Sequence, residues 1–286
     1  MKNNNYFDVI IIGAVWSGLL ACKYMKQNNL SALVLEGRDD IGGIWKYSDD
    51  CEIVTVSKNT HTTSSKCLTE MSDYPMPKCF SSFPHHSDIC NYLNNYCDNF
   101  KLRENIKLSC WVKEVTKSGD NWVVMDDKDN IYNSKYVIVT SGVHSKKTLP
   151  KNINLDKFNG KVIHSQQYKK LTSEFDDKNI LIIGGGETAS DIANEITINA
   201  NKVYWAIPNG QWFLPKINTI SPKGIDNNEP ADHHTSALNM YVHPVGKNSG
   251  VYFYEDAVEF MWGKCGHGIK EWITDCLLYT SDAADE

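Results

Sequence analysis

Two short stretches, GAVWSG at 13–18 and GGGETA at 184–189, each follow an apolar run and each lead into a segment with helical spacing. A strand that passes through a tight glycine turn into a helix commits the chain to a βαβ crossover, and hence to a parallel sheet with helices packed on it. The first unit reads as a strand at Tyr6–Ile12 and a helix at Ser17–Gln27, with Leu19, Leu20, Tyr24 and Met25 on its apolar side. A short strand at Ala32–Leu35 follows, closed by Glu36. The second unit runs from a strand at Asn179–Ile183 through ETASDIANEI to a strand at Lys202–Ala206. The expected fold class is therefore α/β, with two Rossmann-like dinucleotide-binding domains, the second incomplete. The boundary is placed in LPKNINLDKFNG, giving residues 1–155 and 156–275.

The turns carry specific chemistry. In the first, Gly13 makes the tight turn, Gly18 lets the helix approach the strand, and Glu36 stands where an acid binds ribose hydroxyls. Ser17 lies at the helix start, where N–H groups and the helix dipole favour a diphosphate. Val15 occupies the place of the middle glycine of G-x-G-x-x-G, the one departure. In the second turn, Gly184, Gly186 and Ala189 satisfy G-x-G-x-x-A, Glu187 lies between them, and Thr188 and Ser190 add hydroxyls. A 2′-phosphate calls for an Arg just beyond the next strand; Pro208-Asn209 stand there instead, so NADH is expected to compete with NADPH. Two such units in one chain suggest hydride transfer from a nicotinamide to a flavin.

Elsewhere the spacing predicts a helix over Ser87–Phe100, capped by Ser87 or Asp88, and strands at Ile106–Thr116, Asn121–Met125, Tyr136–Thr140 and Lys161–His164. A net charge of −6 argues against a nucleic-acid partner. No apolar run is long enough to span a bilayer and no secretory leader precedes the first strand, so the expected location is cytoplasmic, with a C-terminal anchor left open. Nine cysteines include no C-x-x-C pair and no metal-ligand spacing, so they are expected as reduced, mostly packed thiols with no metal. The last residues, CLLYTSDAADE (276–286), read back as codons match a transposon-based sequencing adapter; they are expected to be non-native and the natural protein longer.

Several linked motifs resemble those of the flavin-containing monooxygenases. GAVWSG followed by LEGRDDIGGIW, with Glu36, Arg38, Gly42, Gly43 and Trp45, is similar to the family's FAD segment. SSKCLTEMSDYPMP (64–77) resembles its active-site loop, and VIVTSGVH (137–144), with Gly142, its strand-to-domain crossing. The most specific is F-x-G-x-x-x-H-x-x-x-Y, here Phe158, Gly160, His164 and Tyr168. His164 is expected to be structural or to couple the domains.

The resemblance implies FAD and NADPH as cofactors, with oxygen captured as a hydroperoxyflavin whose distal oxygen goes to a soft nitrogen or sulfur. Substrates would be molecular oxygen and a small amine or sulfide, in a dimethylaniline monooxygenase-like reaction, with a homodimer as a further expectation. It carries Thr63, Ser64 and Lys66 over as catalytic, and Val112 over as a cofactor contact. Thr63 stands where the family has an Asn, and a hydroxyl cannot reproduce an amide's paired donor and acceptor. Alternatives stay open. A Baeyer–Villiger monooxygenase tends to carry Trp where this chain has Tyr168; a flavin disulfide reductase needs a cysteine pair. An NAD(P)H–flavin oxidoreductase, or a fragment without activity, completes the set.

Overall fold

The computed structural model describes residues 6–150 and 155–207. The first unit is β1 (Tyr6–Ile12), α1 (Trp16–Gln27) and β2 (Ala32–Leu35), with β1 and β2 parallel. Both strands are apolar runs because both faces of a parallel sheet are covered. After a long irregular stretch come α2 (Lys66–Thr69) and α3 (His86–Asn99), then β3 (Ile106–Lys107) and an antiparallel meander. The meander comprises β4 (Val112–Ser118), β5 (Asn121–Asp126) and β6 (Ile131–Val139), with β4 and β5 joined at Gly119-Asp120 as the turn at 118–120 anticipated. Strand order is β3-β2-β1-β6-β5-β4. The second unit, β7 (Asn179–Ile183), α4 (Glu187–Ile196) and β8 (Lys202–Ala206), forms a separate parallel pair.

β3 and β4 lie at opposite ends of this order, yet only residues 108–111 connect them. The sheet must therefore curl so that the meander folds over one face. The packing agrees: Ile10 and Leu35 share a cluster with Cys110, Val124 and Tyr132, while Val9, Ile11 and Val34 face the opposite way, onto Leu19 of α1 and Ile89, Leu93 and Tyr96 of α3. Alternation along β1 and β2 thus feeds two cores.

Four local expectations are corrected. The segment read as one strand over 106–116 is broken, because the N–H groups of Ser109 and Cys110 turn to the carbonyls of Arg38 (2.7 Å) and Glu36 (2.8 Å) instead of continuing a ladder. Helix α3 is capped by His85, whose Nδ1 accepts from Ser87 N while Asp88 closes the box. Tyr24 is exposed, and Lys23 is buried in its place against Asp73. Lys161–His164 makes no ladder; His164 caps the 3-10 turn Ser165–Gln167, donating N–H to Gln167 at 2.9 Å and accepting from Gln166 N at 3.1 Å.

Of the cysteines, Cys22, Cys97 and Cys110 are buried, and Cys51, Cys67 and Cys79 are exposed. Burial pushes the Cys22 and Cys97 thiols up to about 11, so both stay protonated. Among the described residues no helix is long and apolar enough to cross a membrane. Pro208, Asn209 and the 276–286 tail lie outside the described residues.

The meander is pinned by Asp126, fully buried. Its carboxylate accepts from the N–H groups of Lys128 (2.9 Å) and Asn130 (2.8 Å), Tyr132 OH (3.0 Å) and the Cys110 thiol (3.2 Å). Burial works against the charge, but the donors from Asn130, Cys110 and Tyr132 outweigh it and hold this carboxyl below the usual range. Such a group contributes stability above its unfolded pKa, and that contribution is lost as pH falls through the folded value. Asp126→Ala is expected to lower unfolding free energy by about 3 kcal/mol at neutral pH. Denaturant melts at neutral and acidic pH should show the gap between variant and wild type narrowing with acid.

Candidate nucleotide-binding site

At the first turn the glycines are required by shape. Gly13 has φ +103, and a Cβ there would meet the carbonyl oxygen of Thr140 at 2.6 Å. At Gly18 a Cβ would lie 1.9 Å from the Gly13 carbonyl. Thr140 closes the contact, with its N–H and hydroxyl both donating to the Ile12 carbonyl at 2.8 and 2.7 Å. Sequence reading missed Thr140, although it lies inside VIVTSGVH. No side chain caps the start of α1 and no acid lies in its first turn, so no residue of the helix itself competes for its N-terminal N–H groups.

Glu36, 6% exposed, stands at the end of β2 with its carboxylate turned to that turn. It accepts from Ala14 N at 2.7 Å and Arg38 N at 2.9 Å. Val15 sits at the N-cap with φ −122, a conformation open to any L-residue, so it carries no backbone strain. Its side chain leans on the glycine loop: a Cβ at Gly43 would lie 2.5 Å from Val15 Cγ2. The valine thus fills a space that glycine at 15 would leave open. Arg38 donates to the carbonyls of Gly43 (2.6 Å) and Val54, so it clamps the glycine loop. Trp45 ends that loop half-buried, and its carbonyl faces Nδ1 of buried His86 at 3.3 Å. Val112 is half-buried at the head of β4; Gly142, with φ +81, follows β6 and is exposed. Ser17 is exposed on the first turn of α1.

The predicted active-site loop is anchored on α3. Tyr92 accepts from Met71 N at 2.8 Å and donates to the Tyr74 carbonyl, and its ring lies 5.6 Å from Trp16 of the glycine turn. Lys66 Nζ donates to the carbonyls of Phe80 (2.9 Å) and Lys78 (3.3 Å), and the Ser64 hydroxyl lies 2.7 Å from that of Thr69. Thr63 is exposed. Lys66 and Ser64 therefore brace this loop, and Thr63 is the member of the three that faces solvent.

The second turn has the same order and a looser build. Gly184 has φ +124, its N–H donates to the Ala206 carbonyl at 3.0 Å, and Gly186 precedes an uncapped α4. Among the described residues a Cβ at either position would meet nothing within 4 Å. Glu187 and Thr188 are exposed; Ala189 and Ser190 are half-buried. A seam joins this unit to the first. Tyr168 OH donates to Glu195 (2.8 Å), which also accepts from Asn59 (2.6 Å). Buried Lys169 donates to the Ile53 carbonyl (2.6 Å) and Thr55 (3.0 Å), and Lys170 pairs with Asp49. His164 takes the structural one of its two expected roles, as a cap, and the contacts across the seam come from Glu195, Lys169 and Lys170.

A family model described as flavin-binding monooxygenase-like matches residues 7–225. Dimethylaniline monooxygenase [N-oxide-forming] 2 of Cavia porcellus is 33% identical over 222 residues, covering 73% of this chain and 41% of that protein. The chain thus spans less than half the length of that curated relative. A flavin-containing monooxygenase from Stenotrophomonas maltophilia superposes with TM-score 0.66 at 23% identity, over 74% of this chain and 61% of that one. Cyclohexanone monooxygenase from Rhodococcus sp. Phi1, bound to NADP+, gives 0.58 at 21%, over 83% and 44%. These likenesses show a shared fold.

The two turns should respond differently to one methyl group. Gly18→Ala forces its Cβ into backbone and is expected to cost about 3 kcal/mol, read as a lowered denaturation midpoint. Gly186→Ala should keep the unfolding free energy within about 0.5 kcal/mol of wild type.

Proposed function

The chain belongs to the flavin-binding monooxygenase-like family, and from that premise we propose that it serves an FAD-dependent, NADPH-driven monooxygenase acting on a soft nitrogen or sulfur of a small amine or sulfide. The observation that carries this reading is the first turn. An uncapped helix start behind a tight turn and a buried carboxylate at the end of β2 fit the diphosphate and ribose of a dinucleotide. Glu36 uses part of its accepting capacity on Ala14 and Arg38, and a carboxylate has about four lone-pair sites, so ribose hydroxyls can still be received. Gly184, Gly186, Thr188 and Ser190 would receive the nicotinamide dinucleotide at the open second turn.

Bound FAD supplies the redox chemistry that activates oxygen. The chain's residues bind, orient and exclude water. Arg38 and Trp45 hold the glycine loop; Ser64 and Lys66 hold the loop that presents Thr63. The Thr63 hydroxyl has one donor hydrogen and accepts at the same oxygen, where an amide sets two donor hydrogens and an acceptor on separate atoms. Support for nitrogen or sulfur over ketone oxygenation comes from Tyr168, whose hydroxyl is committed to Glu195.

The test supplies FAD, NADPH and oxygen to the protein with dimethylaniline, a thioether or a cyclic ketone. N-oxide or sulfoxide is the expected product; lactone from the ketone, or hydrogen peroxide alone, would overturn the reading. Thr63→Asn should raise the ratio of oxygenated product to peroxide by about tenfold, the worth of one added hydrogen bond. Val15→Gly, which opens the space beside Gly43, should tighten FAD by a similar factor in calorimetric titration; equal affinity would show that the turn accommodates the valine.

A further inference from the structure

Gly37 and Trp111 meet in an unusual way just beyond Glu36. A Cβ at Gly37 would lie 2.1 Å from Cε3 and 2.8 Å from Cζ3 of the Trp111 indole. The ring thus rests on bare backbone, and any side chain at 37 would displace it. The backbone around Trp111 is fixed on both sides. Cys110 N donates to the Glu36 carbonyl (2.8 Å), its thiol is held by buried Asp126 (3.2 Å), and the Trp111 carbonyl accepts from Asp127 N (2.8 Å). Despite that rigid setting, Trp111 is 59% exposed. A large aromatic surface is therefore held open to solvent one residue from the carboxylate proposed to receive ribose.

We propose that Trp111 is a stacking platform for the nucleobase of the dinucleotide whose ribose meets Glu36. The inference rests on the FAD reading above and adds a contact to it. The base is joined directly to the ribose. With hydroxyls at Glu36, the base must fall within one residue's reach of that carboxylate, and the segment 108–111 runs there, bonded to Glu36 and Arg38. A flat π-face suits a purine, since stacking on an aromatic ring needs no particular hydrogen-bond pattern. Substitution of Gly37 would act on the same contact by displacing the ring.

The test is calorimetric titration of flavin-free protein with FAD, ADP and FMN, comparing wild type with Trp111→Phe, Trp111→Leu and Trp111→Ala. ADP carries the base without the flavin; FMN carries the flavin without the base. Trp111→Ala is expected to weaken FAD and ADP by about tenfold and leave FMN unchanged, with Phe restoring most of the affinity and Leu little of it. The proposal is overturned if FAD and ADP bind the variants as they bind wild type, if tighter binding shows that the ring blocks the base, or if all three ligands weaken together. Leu keeps apolar bulk beside Gly37, so the Phe–Leu comparison stands even where the Ala variant does not fold. If wild type binds neither FAD nor FMN, the flavin reading itself fails; if FAD binds equally in all four proteins, only the platform fails.

Discussion

The hydrogen bond from Ala14 N to the buried Glu36 carboxylate is the contact on which the rest of the first unit depends. It ties the end of β2 to the turn after β1, two points that β1–β2 pairing alone brings close but does not lock. Its neighbours complete the lock. Gly13 N donates to the Leu35 carbonyl, Thr140 closes over Gly13, and Cys110 N reaches the Glu36 carbonyl. Three chain segments far apart in sequence thereby converge on one turn. A charged group this deeply placed is costly unless its hydrogen bonds are met, and here two backbone donors meet it.

From that lock the structure extends in two directions. On one face, α1 and α3 pack through Trp16 and Tyr92, and Tyr92 in turn holds the loop bearing Met71 and Tyr74. On the other, the meander folds over β1 and β2, held by Asp126, Cys110 and Tyr132. The stretch between the glycine loop and α2 carries the seam. His85 and His86 both point Nε2 at the Lys58 carbonyl, and Lys58 N reaches the carbonyl of Lys169. Burial, and then the adjacent His85, pull the His86 pKa below its ordinary value, so the neutral ring is favoured. Burial likewise lowers the Lys169 pKa, since its amine meets only a carbonyl and a hydroxyl. Arg38 grips the Val54 carbonyl from the first unit while Lys169 grips Ile53 from the second. Residues 53–55 are thus held from both sides.

Much of this was legible from periodicity. β1, β2, β7 and β8 fall where the apolar runs place them; β1 and β2 are covered on both faces, as a parallel strand requires, whereas β7 and β8 alternate exposed and half-buried residues. The α3 face was legible too, since Ile89, Tyr92, Leu93, Tyr96 and Cys97 are all buried at helical spacing. What escaped depended on partners remote in sequence. The break at 108–111 exists because Arg38 and Glu36 offer carbonyls there, which no local pattern in KLSCWV reveals. Lys23 reads as a surface residue until Asp73 is brought beside it. His85 as a cap was hidden by better cap formers at Ser87 and Asp88. The glycine turns were readable as motifs, but the motif did not distinguish a turn closed by Thr140 from one with open space around it.

That distinction alters how the two motifs should be weighed. At the first turn the imperfect motif, with Val15 in its middle, is the one whose remaining glycines are sterically compulsory. Two close approaches, at 2.6 and 1.9 Å, leave no room for substitution. At the second, the motif is complete, yet Gly186 has an ordinary backbone conformation and no described atom within 4 Å of where a Cβ would stand. Packing therefore accounts for Gly13 and Gly18, whereas among the described residues it gives no reason for Gly186. On the proposed reading, close approach of the dinucleotide's diphosphate to the start of α4 would account for it. The converse holds for Val15: its φ of −122 shows that the turn itself never needed glycine there. The valine therefore leaves the fold untouched, and on the proposed reading its effect falls on cofactor affinity.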